Sequence, residues 1–193
     1  MELKDGKLTF YAKNRKEWRN WLEKNHTKEK SVWLIIYGKG SQTPSVNAAE
    51  AVEEALCYGW IDSLAKGRDD ESHYQTFSPR KPKSNWSKIN RERVEKLIQQ
   101  GLMTPAGQAL IDLAKKSGTW TAMVDVQNLV IPPDLQKLFN LSKTAFKNFN
   151  AFPPSSKQLI LTWILNAKKP ETRQNRIEQT VELAKKNIRA NHF

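Results

Sequence analysis

Apolar positions follow two rhythms along this chain: one continuous early run, and helical spacing over most of the rest. Trp18, Trp21 and Leu22 recur at i, i+3 and i+4 behind Asn14 and Glu17. That arrangement resembles a capping box and predicts a helix over about 15–24 with an aromatic inner stripe. The run Ser31-Val-Trp-Leu-Ile-Ile-Tyr37 is short, β-branched and aromatic, and Gly38-Lys39-Gly40 closes it. It predicts a central strand buried on both faces. Ser45 stands as the N-cap of a helix bearing Val46, Ala49, Val52 and Leu56, and Gly59 occupies the position just past its end. Trp60 to Ala65 and Tyr74 to Ser78 flank a polar turn over 66–72, which predicts an antiparallel hairpin.

Beyond Pro79 and Pro82, helical periods take over. One helix is expected from about Trp86 to Gly101 on Ile89, Val94, Leu97 and Ile98, and another from Thr104-Pro105 to Gly118. Pro132-Pro133, Ser142 and Pro153-Pro154 then punctuate short helices carrying Leu135, Leu138, Phe139, Phe146, Phe149, Leu159, Trp163 and Ile164. Pro170 opens a last helix with Ile177, Val181, Ala184 and Ile188 on one stripe. The expected class is α+β: a small antiparallel sheet backed by helices over residues 1–124, followed by a helical C-terminal region over 125–193. The 38% hydrophobic content, with seven Trp and seven Phe, suffices for an ordinary core.

Charge widens the range of partners without choosing one. A net charge of +12 suits anionic partners, whether nucleic acid, acidic protein, nucleotide or membrane headgroup, and also serves solubility alone. The single cysteine, Cys57, rules out an intramolecular disulfide scaffold and any cysteine-based metal site, and it fits a reducing compartment. The opening Met1-Glu2-Leu3-Lys4-Asp5-Gly6 lacks a signal peptide's apolar segment, and no apolar run approaches the roughly 20 residues that span a bilayer. A cytoplasmic location with no membrane span is expected; no cofactor and no metal are implied.

Candidate chemistry concentrates between Glu54 and Met103. Strand alternation puts Trp60 and Asp62 on one face, and Arg80, Ser84 and Trp86 lie at the exit of the neighbouring strand. Arg80 offers planar bidentate donors to an anion, a helix start near Trp86 adds favourable dipole, and Trp60 or Trp86 could stack on a ring. The same residues also read as packing and capping devices: Asp62 pairing an arginine, Ser84 or Ser87 capping a helix, both tryptophans in the core. An alternative partner is nucleic acid, gripped by Lys83, Lys88, Arg91 and Arg93 within the basic stretch Arg80 to Lys96, although no nucleic-acid-binding signature accompanies them. Catalysis has the least support. Of His26, His73 and His192 only His73 could approach Asp62 or Cys57, no phosphate loop or nucleophile elbow is present, and no catalytic residue is assigned.

Glu54-Ala-Leu-Cys-Tyr-Gly-Trp-Ile-Asp62, Phe77-Ser-Pro-Arg80, Ser84-Asn-Trp-Ser-Lys-Ile-Asn90, Gly101-Leu-Met-Thr-Pro-Ala-Gly107 and Ala167-Lys-Lys-Pro-Glu-Thr-Arg173, with the opening Trp18-Arg19-Asn20-Trp21-Leu22, together resemble the YdeI/OmpD-associated family over most of the chain. The resemblance implies a part in bacteriocin protection or stress tolerance and a small C-terminal helical region. It brings no catalytic residues with it. The favoured reading is a non-enzymatic cytoplasmic binding protein with a cleft near Trp60, Asp62, Arg80, Ser84 and Trp86.

Overall fold

The computed structural model describes residues 3–191; Met1, Glu2, His192 and Phe193 lie outside them, and with them the tail position expected for His192. The chain divides between Trp120 and Thr121 into two compact units.

The first unit is α+β. Its elements in order are β1 (Leu3–Lys4), β2 (Lys7–Tyr11), α1 (Arg15–Asn25), β3 (Val32–Tyr37), α2 (Ala48–Cys57), β4 (Trp60–Gly67), β5 (Ser72–Pro79), α3 (Lys88–Gln99) and α4 (Pro105–Ser117). Five strands form one sheet in the order β1-β2-β3-β5-β4. The expected hairpin is β4–β5, and β3 is the central strand. Two features depart from expectation. The N-terminal segment supplies two further strands, and β2 runs parallel to β3, so the sheet is mixed, not antiparallel. Helix α1 makes the crossover that a parallel pair requires. The signal for β2 was its alternation, with Leu8 and Phe10 inward between Lys7, Thr9 and Tyr11.

Register sorts side chains between the faces of the sheet. Leu8, Phe10, Val32, Leu34, Ile36 and Phe77 join α1, α2, α3 and α4 in the main core. At its centre Trp18 stacks on Trp21 with ring centroids 5.2 Å apart, and Trp21 meets Trp60 edge-on at 5.9 Å. Rings of this size dominate burial, and the Trp18 indole N–H is satisfied by the Ala51 carbonyl at 3.0 Å. Trp33, Ile35 and Tyr74 form a separate cluster on the opposite face, with Tyr11 and Tyr37 packed against it. Every member of that second cluster comes from a strand.

Local caps explain where helices begin. Asn14 accepts from the Glu17 amide at 3.0 Å, while the Glu17 carboxylate reaches back to the Lys13 amide. Helix α2 starts after Asn47, whose side chain forms a capping box with Glu50. Ser45 therefore does not cap it; its hydroxyl accepts from the Tyr37 amide at 3.1 Å and ties the loop to β3. Ser87 caps α3, which starts at Lys88, not Trp86.

The second unit is helical: α5 (Ala122–Gln127), α6 (Pro133–Asn140), α7 (Lys143–Ala151), α8 (Pro154–Leu165) and α9 (Pro170–Lys185). Leu135, Phe139, Phe149, Ile160, Leu161, Ile164, Ile177, Val181 and Ala184 fill its core. Asp134 in the first turn of α6 accepts two bonds from Arg173 on α9, at 2.6 and 3.0 Å, a bidentate pair that fixes the register of the two helices. Ile188 falls outside the expected stripe. Asn187 takes a left-handed conformation and ends the helix, leaving Ile188 half exposed. Among the described residues, no helix is long and apolar enough to cross a membrane.

Candidate functional site

The predicted site residues converge on the junction where α2 ends and the β4–β5 hairpin closes. Gly59 makes the turn from α2 into β4 at φ +72°, a conformation that suits glycine. A Cβ there would also lie 2.9 Å from the Leu110 side chain. The Gly59 carbonyl accepts from the Arg80 amide at 2.9 Å, so Arg80 leaves β5 directly beside the start of β4. The chain then loops through 81–87 and lays Trp86 back over Arg80. The guanidinium carbon sits 3.8 Å from the ring centroid, a close cation–π contact. Trp86 in turn packs on Trp120 at 5.1 Å, and its amide donates to the Thr119 carbonyl.

Arg80 is the anomaly of this junction. It is only 6% exposed, one of its terminal nitrogens donates to the Asn85 carbonyl, and its Nε is buried with no partner. Among the described residues no carboxylate lies within ion-pair distance of it. Burial pushes its guanidinium down to about 10, against the opposing pull of the Asp62 charge, so it remains a cation at neutral pH. A buried charge without a paired counter-charge is costly.

The remaining predicted residues divide. Asp62 shares the core-facing side of the sheet with Phe77, its register partner, and accepts a long bond of 3.4 Å from Gln75. Trp60 is 1% exposed; its ring packs on Trp21 and its indole N–H donates to the His26 carbonyl at 3.1 Å. Its faces are taken up by the core. The Ser84 hydroxyl donates to the Lys81 carbonyl at 2.7 Å and closes the loop. Of the alternative basic set, Lys83 is exposed on that loop, whereas Lys88, Arg91 and Arg93 lie on α3. Lys88 approaches Glu92 at 3.8 Å and Arg93 donates to Asn90 at 3.1 Å.

Cys57 ends α2 fully buried, and burial raises its thiol to about 11. Above the pKa of an unfolded thiol, near 9, unfolding releases a proton, so stability from this group is present below that pH and falls as pH rises towards 11. At pH 8 the native thiol should resist an aromatic disulfide reagent, and urea should expose it to stoichiometric reaction; fast labelling of the folded protein would show an accessible thiolate. His73 stands opposite Ile36 and Gly67 in the sheet register. His26 caps α1, its Nδ1 2.9 Å from the Leu22 carbonyl.

One cluster escaped the sequence reading. Glu54 on α2 is 2% exposed and meets two arginines of α1, with Arg15 Nε and Arg19 Nη1 each at 2.6 Å. Arg19 extends to the Leu102 carbonyl at 2.9 Å and lies over the Tyr58 ring. An acid flanked by Ala51, Val52 and Ala55 on a helix that buries that side was the available signal.

Comparison with known proteins divides along the same line as the fold. Residues 128–187 match the family described as "Bacteriocin-protection, YdeI or OmpD-Associated". That match lies within the helical unit and includes only the Ala167–Arg173 motif of those that carried the resemblance. The other motifs fall in or beside residues 10–110, which match a different family, described as "Domain of unknown function (DUF8412)". No curated protein and no solved structure matches the chain. Since residues 10–110 make up more than half of the 193, the chain belongs to the DUF8412 family, and its second unit carries the bacteriocin-protection, YdeI or OmpD-associated region.

Proposed function

We propose that this bacteriocin-protection-associated protein is a non-enzymatic cytoplasmic binding protein, and that its first unit takes up a small anion, free or attached to an aromatic ring, at Arg80. The observation that carries the reading is the buried guanidinium: it is charged, stacked on Trp86, short of a carboxylate partner and left with an unbonded Nε. An anionic group supplies the missing counter-charge and acceptor together, and the guanidinium's planar donors suit a carboxylate or phosphate. Asp62 competes electrostatically for the same cation. Lys81 and Lys83, exposed on the loop that covers Arg80, add positive charge nearby in sequence. The lone free cysteine is compatible with a reducing compartment.

A thermal-shift series with phosphate, citrate, benzoate and nucleoside monophosphates tests this. A ligand at 100 times its dissociation constant should stabilise the unit by about 2.7 kcal/mol. Asp62→Asn removes the competing charge without touching the core and should bind the responding anion several-fold more tightly. Arg80→Met should abolish the response while keeping the Trp86 packing. Silence from every anion in both the natural protein and Asp62→Asn would refute the reading.

A further inference from the structure

The face of the sheet opposite the helices has its own chemistry. Register places Lys4 of β1, Lys7, Thr9 and Tyr11 of β2, Trp33, Ile35 and Tyr37 of β3, Tyr74 and Thr76 of β5, and Lys66 of β4 on it. The cluster of Trp33, Ile35 and Tyr74, with Tyr11 and Tyr37 against it, contains no helix residue. Cationic arms lie over its rings instead. Lys4 Nζ sits 4.2 Å from the centre of Tyr74, Lys7 and Lys66 sit 5.5 and 5.7 Å from Trp33, and Arg68 lies 6.0 Å from Tyr74. The carboxylates nearby, Asp5 and Asp69, each pair one of these cations at the rim, on Lys66 and Arg68.

Two further observations converge on the same face. Trp33 and Thr76 are directly opposite in the β3–β5 register, both more than nine-tenths buried, and the indole N–H of one and the hydroxyl of the other have no hydrogen-bond partner. Two unsatisfied donors side by side at the middle of a face are costly unless an acceptor arrives. Beside the starts of β2 and β3, a concavity of about 320 Å³ lined by Lys7, Leu8, Lys28, Glu29, Lys30 and Ser31 adds further lysines next to Lys7.

From these we infer that the face of the sheet bearing Trp33, Ile35 and Tyr74 is a docking surface for single-stranded nucleic acid. Backbone phosphates take the ammonium groups of Lys4, Lys7 and Lys66 and the guanidinium of Arg68. As those arms swing onto phosphate, they uncover the faces of Tyr74, Trp33 and Tyr37 for bases. Base carbonyl or phosphate oxygens meet the Trp33 and Thr76 donors. Aromatic platforms within a basic groove bind single strands with little sequence preference, because every base has a stacking face. A duplex keeps its bases paired and cannot use the rings. This surface lies apart from Arg80 and from the basic residues of α3.

The test is anisotropy of a fluorescein-labelled 15-mer of oligo(dT) with the full chain at 50 mM salt. Saturable binding should weaken with salt in proportion to the phosphates engaged. The double variant Lys7→Ala/Lys66→Ala, which alters half-buried and exposed side chains only, should bind at least tenfold more weakly and with a shallower salt slope. Tyr37→Leu should weaken binding several-fold with the slope unchanged, the signature of lost stacking. Arg80→Met should bind as the natural protein does, which separates this surface from the anion site. Failure to bind, equal affinity for a duplex or for heparin, or indifference to both sheet-face variants would overturn the assignment. Binding lost only on Lys88→Ala/Arg93→Ala would move the interface to α3 and overturn it equally.

Discussion

Glu54→Ala is expected to destabilise the first unit by about 3–5 kcal/mol. The carboxylate is buried between α1 and α2, and each of its oxygens holds one arginine at 2.6 Å. Removing it leaves Arg19 with no carboxylate and Arg15 with Glu53 alone, at 2.8 Å. Arg15 and Arg19 keep about a third of their side-chain surface in water, which places the loss towards the lower end of that range. Glu54→Gln preserves the volume but presents an amide N–H₂ to a cation, so it should recover little. Urea unfolding read by tryptophan emission suits the measurement, because six of the seven tryptophans lie at or before Trp120. Glu54→Ala should cost at least about 1 kcal/mol less in an Arg15→Met/Arg19→Met background. Equal costs in both backgrounds would show that the carboxylate matters only as buried volume.

Gly107→Ala should reverse the usual helix rule. At an open helix position the exchange gains about 1 kcal/mol. Here the added methyl would lie 2.3 Å from the Cys57 carbonyl oxygen and 2.5 Å from the Met103 sulfur. Met103 can swing aside, but the Cys57 carbonyl is backbone, and it already accepts from the Thr104 hydroxyl at 2.6 Å and the Thr104 amide at 3.3 Å. The first turn of α4 can rest on the end of α2 only while Gly107 has no side chain. Overpacking of this kind costs about 1–3 kcal/mol; a backbone clash sits at the upper end of that range, so the net loss after the propensity gain is about 1–2 kcal/mol, and Gly107→Val should cost more. A rise in melting temperature for Gly107→Ala would mean that the two helices separate without loss.

Legibility followed the physics of each element. Helices with a strong aromatic stripe and a cap, such as α1, and the unbroken apolar run of β3 were plain from the sequence, since period and capping are local. β2 was not. Its five residues carry only Leu8 and Phe10 as inward positions, and its pairing is decided by a parallel partner more than twenty residues away. The convergence of Asp62, Arg80 and Trp86 followed from hairpin alternation and a return loop. That Trp60 would be wholly spent in the core depended on Trp21 of another element, and that Arg80 would be buried without a carboxylate depended on the loop folding over it. The aromatic side of the sheet stayed hidden for a related reason. Its aromatic members lie on three strands, β2, β3 and β5, and only the register brings Trp33 and Thr76 face to face.

The two cores share no side chain: every member of the aromatic one lies at or before Trp120, and every member of the helical one after it. In terms of descent, a core substitution on one side needs no compensating change on the other. Each half therefore carries a hydrophobic core built from its own residues alone. The two family matches, over 10–110 and 128–187, fall on either side of that boundary.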